Sequence, residues 1–237
     1  MRVLAIETAT PLASAAAVDE DGVLAESVLR APMHHLEWLL PAVEAMLGYL
    51  ALSPDAIEGV AVSCGPGGFT GLRIGIATAA AWAKMRRVPL LGIGTLEALA
   101  CVAGAEGLVL PVLDAHRGEV AGALYRIAGD GSVDCLVEPL VAFPDRLMAE
   151  AAVRPGPVLV VGDGLARCAA AVRASLGDRA RMGPAHLHPR AAAVGLLALP
   201  RLARGERVEP AALRPIYGRR PVAWPRQETL EERGNPQ

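Results

Sequence analysis

Val3-Leu4-Ala5-Ile6-Glu7-Thr8-Ala9-Thr10-Pro11 opens the chain with an unbroken apolar run, an acid at its end, and a turn closed by proline. A continuous apolar run with β-branched members suits a buried strand. After the turn, Ser14 to Val18 reads as a second strand, Asp19-Glu20-Asp21-Gly22 as a hairpin turn and Val23 to Leu29 as a third strand. The chain therefore begins as an antiparallel meander. Further along, the pattern returns. Leu108 to Leu113 is an apolar run ending at Asp114, Ala115-His116-Arg117-Gly118 is a turn, and Val120 to Leu124 is a strand. Strand, terminal acid, turn and strand thus occur twice, which predicts two copies of one fold.

The segments between fill out each copy. Leu36, Leu39, Leu40, Val43, Leu47 and Leu50 fall at helical spacing on one face. Ser53-Pro54-Asp55 predicts an N-cap followed by proline at the first helical position. Gly59 to Ser63 reads as a strand, Gly65 to Gly71 as a glycine loop, and a second helix runs to about Arg86. Leu90 to Ile93 is a strand, and Thr95 starts a third helix. The pattern predicts a first lobe over 1–104 and a second over 105–224. The second holds a strand at Val158 to Val161, a turn at Gly162-Asp163-Gly164, and helices from about Arg167 to Leu176 and from Ala191 to Arg204. The polar tail 225–237 is expected to be disordered.

Composition narrows the function. Of the 237 residues, 53% are hydrophobic but only 3% aromatic, so the core must be built from Ala, Val, Leu and Ile. The formal net charge of −2 and a pI near 6.2 argue against a chain that grips RNA by itself. Cys64, Cys101, Cys135 and Cys168 form no C-x-x-C pair and are expected to be buried free thiols of a reducing compartment. The N-terminal apolar run is too short for a signal-peptide core, and no apolar run reaches the length of a membrane span. These features predict a cytoplasmic protein with no membrane association.

The loop Cys64-Gly65-Pro66-Gly67-Gly68-Phe69-Thr70-Gly71 lies between a strand and a helix. Glycines there permit positive φ, and the helix N-terminus beyond favours negative charge, so the loop could cradle a phosphate. It is neither a Walker loop, which needs G-K-[ST], nor a dinucleotide fingerprint, which needs glycine where Thr70 stands. The other reading is a tight strand-to-helix turn with close helix packing. Gly71, Gly75, Ala79 and Ala83 recur every four residues as a small-residue stripe, able to face either the lobe's own sheet or a partner.

Catalytic constellations are sparse. His35 is followed at i+4 by Leu39, and His34 by Trp38, so neither has a second ligand on its helix face, and no metal site is expected. His35 reads as a surface or interface residue. In the second turn His116 and Arg117 follow Asp114 and Ala115, and their side chains crowd the approach a nucleotide would need. Ser63 is not in a G-x-S-x-G elbow. His186 and His188 sit beside Pro184 and Pro189 in an apparent loop. Arg214, Arg219, Arg220 and Arg226 read as a solvated end segment.

Several segments together resemble the TsaB/YeaZ family: Glu7-Thr8-Ala9-Thr10, His35 with Leu39-Leu40-Pro41, Gly65-Pro66-Gly67-Gly68-Phe69-Thr70-Gly71-Leu72-Arg73-Ile74-Gly75, Gly94-Thr95-Leu96-Glu97-Ala98-Leu99, Asp114-Ala115-His116-Arg117-Gly118-Glu119-Val120 and Pro215-Ile216-Tyr217. They keep family order across nearly the whole chain. The resemblance implies a two-lobed α/β fold of the actin/Hsp70/sugar-kinase (ribonuclease H-like) type, a duplicated mixed sheet flanked by helices. It implies a non-catalytic partner of a TsaD-like paralogue, acting with a TsaE-like ATPase and a TsaC-type donor synthetase. Their product is threonylcarbamoyladenosine at position 37 of tRNAs that read codons beginning with A. It also implies a homodimer when alone, contact with tRNA only through the complex, and no cofactor.

The residues expected at the partner face are His35, Leu36, Leu39, Val43, Leu72, Gly75, Ala79 and Ala83. Those of a vestigial phosphate loop are Glu7, Thr8, Thr10, Gly65, Gly67, Gly68, Thr70 and Gly71. Most relatives carry aspartate in place of Glu7 and serine in place of Gly68. The alternative reading is an active small-molecule kinase or ATPase of the same fold class, with Glu7 helping to place Mg²⁺. A metallopeptidase is a third, opposed by the missing second histidine.

Overall fold

The computed structural model describes residues 1–30 and 34–217. The expected tail 225–237 and Arg219, Arg220 and Arg226 lie outside the described residues. The first half runs β1 (Val3–Glu7), β2 (Leu12–Asp19), β3 (Gly22–Arg30), α1 (His35–Tyr49), β4 (Gly59–Gly65), α2 (Phe69–Arg86), β5 (Leu90–Gly94) and α3 (Thr95–Val102). The second half repeats it as β6 (Gly107–Asp114), β7 (Val120–Ile127), β8 (Val133–Ala142), α4 (Pro144–Ala152), β9 (Val158–Val161), α5 (Leu165–Leu176), β10 (Ala180–Met182) and α6 (Ala191–Ala203). The sheets have orders β3-β2-β1-β4-β5 and β8-β7-β6-β9-β10. In each, the central strand pairs antiparallel with the next strand in sequence and parallel with the strand after the helix. This duplicated mixed sheet is the two-lobed architecture that the opening echo predicts.

Alternation along the central strands builds the layers. Leu4 and Ile6 of β1, with Val60 and Val62 of β4, face α1 and α2, and Val3, Ala5 and Ala61 face α6. In the second sheet Leu108, Leu110 and Val112 face α4 and α5, and Val109 and Leu113 face α3. Both faces are covered, so the strands read as continuous apolar runs rather than alternating ones. The helices of the middle layer are exchanged. α3, from the first half of the chain, covers the second sheet, and α6, from the second half, covers the first.

Side chains of the first half also satisfy the N-terminus of α6. The Ala191 amide donates to Ser14 Oγ at 2.8 Å, the Ala192 amide to Glu26 Oε1 at 3.1 Å, and Arg190 bonds both Glu26 oxygens. An acid there meets otherwise unpaired amides and the positive end of the helix dipole. Residues 1–104 expressed alone would leave the Val3, Ala5, Ala16 and Val18 face open to water. We expect that fragment to show no cooperative thermal transition by circular dichroism, and a sharp one would show that α6 is dispensable.

Some local expectations change. Pro54–Ala56 is one turn of 3₁₀ helix, and Ser53 makes no side-chain cap. Cys64 and Cys168 are buried, but Cys101 is half-buried and Cys135, on the edge strand β8, is exposed. Burial pushes the Cys64 and Cys168 thiols up to about 11, and partial desolvation together with the nearby Glu138 carboxylate does the same for Cys135, which leaves them poor nucleophiles. No helix among the described residues is long and apolar enough to cross a membrane.

Candidate functional site

The β1–β2 turn and the glycine loop meet backbone to backbone. The Gly68 amide donates to the Ala9 carbonyl at 2.7 Å, and Thr8 Oγ1 donates to the Gly71 carbonyl at 2.8 Å. A Cβ on Gly67 would lie 2.7 Å from the Ala9 Cβ, and one on Gly71 3.2 Å from the Thr8 carbonyl carbon. Only glycine permits this approach. Thr10 serves its own turn, its hydroxyl donating to the Leu12 carbonyl at 3.1 Å. Thr70 is exposed at the start of α2. The second lobe uses the same device: Gly164 donates to the Val112 carbonyl at 3.1 Å, and a Cβ there would lie 2.9 Å from the Leu113 carbonyl carbon.

Beneath this junction sits Glu7, with no exposed surface. Oε1 accepts the Ala9 amide at 2.5 Å, and Oε2 accepts the Ser63 hydroxyl. No cation pairs with Glu7 among the described residues. Burial pushes its carboxyl up to about 7, against the opposing pull of the Ser63 hydroxyl and the Ala9 amide. The matching acid of the second lobe is differently placed. Burial also pushes Asp114 up, but Arg167, at 2.6 Å, and the His116 amide, at 2.8 Å, hold it below the usual carboxylate range. His116 and Arg117 follow with positive φ and exposed side chains. His188 is half-buried, and burial lowers its pKa; its Nδ1 has no hydrogen-bond partner among the described residues. No group of three or more His, Cys, Asp or Glu side chains placed to hold a metal occurs among the described residues.

The residues expected at a partner face divide. Leu39, Val43, Leu72, Gly75, Ala79 and Ala83 are buried in their own lobe, so they form no external surface. The small-residue stripe faces the lobe's own sheet: a Cβ on Gly75 would meet Thr8 Oγ1, with Ile6 and Val62 methyls at 3.5 Å. His35 is also buried, and its Nε2 lies 3.2 Å from the Thr10 carbonyl. A carbonyl only accepts, so Nε2 carries the proton and the ring ties α1 to the β1–β2 turn. Of the eight residues, Leu36 is the one on the outside, 67% exposed. Leu40, which the helical spacing assigns to the core face, is 54% exposed.

A group that the pattern of motifs does not single out lies at the start of α2. Phe69 stacks on Tyr217 with ring centroids 5.2 Å apart, and the Arg73 guanidinium lies 4.9 Å from the Phe69 centroid. Phe69 is 55% exposed. The available signal was a phenylalanine inside a glycine loop in a chain with only two.

Comparison with known proteins places these features in context. The family described as "TsaD: tRNA N6-adenosine threonylcarbamoyltransferase" matches residues 16–219. A Mycobacterium tuberculosis protein of unassigned role is 36% identical over 225 residues, 94% of each chain. The Bacillus subtilis tRNA threonylcarbamoyladenosine biosynthesis protein TsaB is 29% identical over 193 residues, 79% of this chain and 82% of that one. The solved structure of YeaZ from Pseudomonas aeruginosa superposes with a TM-score of 0.79 at 28% identity, covering 91% of this chain and 99% of that one.

Proposed function

The chain belongs to the TsaB/YeaZ family, and from that premise we propose that it is the non-catalytic partner of a TsaD-like transferase. Its role in the threonylcarbamoyladenosine modification of tRNA follows from the family. The finer assignment is ours: it binds the transferase through the outer faces of α1 and α2, works in the cytoplasm with a TsaE-like ATPase, and reaches tRNA only through the complex. Alone, it pairs with a second copy through the same helices. The lobes 1–104 and 105–224 serve as one unit, the first carrying the partner face.

The observation that carries this reading is the closed junction between the β1–β2 turn and the glycine loop. In a phosphate-binding member of this fold, turn and loop amides must be free to face an anion. Here the Gly68 amide is spent on Ala9, and the Glu7 carboxylate that would hold a cation is sealed under the turn. What remains outside is apolar surface on Leu36, Leu40 and Phe69, which suits a protein partner.

The test is threonylcarbamoyl transfer to tRNA in a mixture of TsaC, TsaD and TsaE proteins, with and without this chain. Modification should require the chain, and the chain alone should release no phosphate from ATP. Equal modification without it would overturn the proposal, and turnover by the lone protein would favour a kinase or ATPase.

A further inference from the structure

Residues 206–217 leave the end of α6 and run as a strap across the first lobe. The Val208 amide donates to the Leu90 carbonyl at 2.8 Å, pairing the strap with the edge strand β5. Leu213 then fills a slot that exists because residue 92 is glycine: a Cβ there would lie 2.8 Å from Leu213 Cδ1. At the far end the Ile216 amide donates to the Cys64 carbonyl at 2.6 Å. Gly65 lies directly beneath, where a Cβ would press on the Ile216 carbonyl, with the carbonyl carbon only 3.0 Å away. Tyr217 ends on the Phe69 ring. Two glycines of the sheet and loop therefore accommodate the chain's own C-terminal segment.

The anchors differ in burial. Leu90, Gly65 and Cys64 are inside, whereas Ile216 is 49% and Tyr217 37% exposed. Among the described residues, Ile216 and Tyr217 are held by one backbone hydrogen bond and a partly exposed ring stack, contacts of the kind that open locally at low free energy. Its position gives that opening a consequence. The N-termini of α1 and α2 converge on the β1–β2 turn, α1 through His35 on Thr10 and α2 through Gly68 on Ala9 and Gly71 on Thr8. Residues 216–217 of the strap adjoin the α2 side of this rim, where Tyr217 stacks on Phe69 and the Arg73 guanidinium lies over the Phe69 ring.

We infer that the strap is a clasp for the partner face: closed, it fixes Phe69 and adds Ile216 and Tyr217 to the surface that receives the transferase-like paralogue, and open, it withdraws them. The inference rests on the partner reading above. The paralogue binds the closed form better, so binding and strap closure favour each other by the same factor.

The test compares wild type, Tyr217→Ala and Ile216→Pro, all full length, for affinity toward a purified TsaD-type transferase by calorimetry. Hydrogen exchange of the 206–217 segment is followed with and without that protein. Tyr217→Ala removes the ring stack, and Ile216→Pro removes the amide donated to Cys64. Each should weaken binding about three- to tenfold with the melting temperature unchanged, and the transferase should slow exchange in the wild-type strap. Wild-type affinity in both variants, or strap exchange untouched by the transferase, overturns the clasp and leaves the partner reading standing. No binding by wild type overturns the partner reading itself. If the variants melt early, the exchange of the wild-type strap decides alone.

Discussion

Gly75→Leu is expected to lower the melting temperature of the monomer rather than loosen an association. Gly75 lies nearly two turns into α2, where an added Cβ would clash with Thr8 Oγ1 and sit 3.5 Å from the Ile6 and Val62 methyls. A leucine side chain cannot be accommodated there without displacing Thr8, and Thr8 holds the Gly71 carbonyl. The helix gains up to about 1 kcal/mol from losing a glycine. Overpacking a closed core typically costs 1–3 kcal/mol and sometimes more. With a broken hydrogen bond, worth about 1 kcal/mol, added, we expect a net loss of about 1–3 kcal/mol, which in a chain of this size corresponds to a fall of about 2–12 °C. Differential scanning calorimetry at a concentration where the protein is monomeric measures it directly. A variant that melts like wild type but no longer associates would put the stripe back on an external interface.

That correction shows where the sequence was legible and where it was not. The duplication was readable because β1 and β6 are central strands covered on both faces, so burial writes itself as an unbroken apolar run with an acid at its end. The glycine loop was readable as a tight junction, but not which backbone it receives, since spacing says that side chains are absent and not what fills the room. The same limit hid the strap: Gly65 and Gly92 make room for residues more than a hundred positions away in the chain. β8 and α4 left weak signals. β8 is an edge strand in which Asp134, Glu138 and Pro139 interrupt the apolar pattern, and α4 is a short helix whose buried residues are Leu147, Met148 and Ala151. On α1 the leucines lie on two sides, Leu39 inward and Leu36 and Leu40 outward. A helix apolar on both sides meets two surfaces, and a single-stripe reading merges them.

Glu7→Gln is expected to stabilise the chain in a pH-dependent way. The folded carboxyl titrates near 7 and its ordinary value is 4.5. Below pH 4.5 the acid is protonated in both the folded and the unfolded chain, and its burial carries no ionisation penalty. Between 4.5 and 7 the unfolded chain releases its proton while the folded chain retains it. The unfolded state then binds fewer protons, and stability falls as pH rises. Above 7 both forms are ionised and the loss is complete, roughly 3 kcal/mol for a shift of this size. Glutamine removes the titration and keeps the contacts: its amide oxygen accepts from Ala9, and its nitrogen donates to Ser63 Oγ, which turns its hydroxyl elsewhere.

Urea midpoints for wild type and variant at pH 5 and pH 8 give the difference. It should be small at pH 5 and favour glutamine by about 2–3 kcal/mol at pH 8, while the contribution of His188, whose pKa burial lowers, cancels because both proteins carry it. A Mg²⁺-dependent rise in wild-type stability at pH 8 that glutamine abolishes would mean the ionised carboxylate finds a cation, which belongs to an enzyme of this fold. A difference independent of both pH and Mg²⁺ would mean that Glu7 is ionised throughout this range and that burial does not raise its pKa.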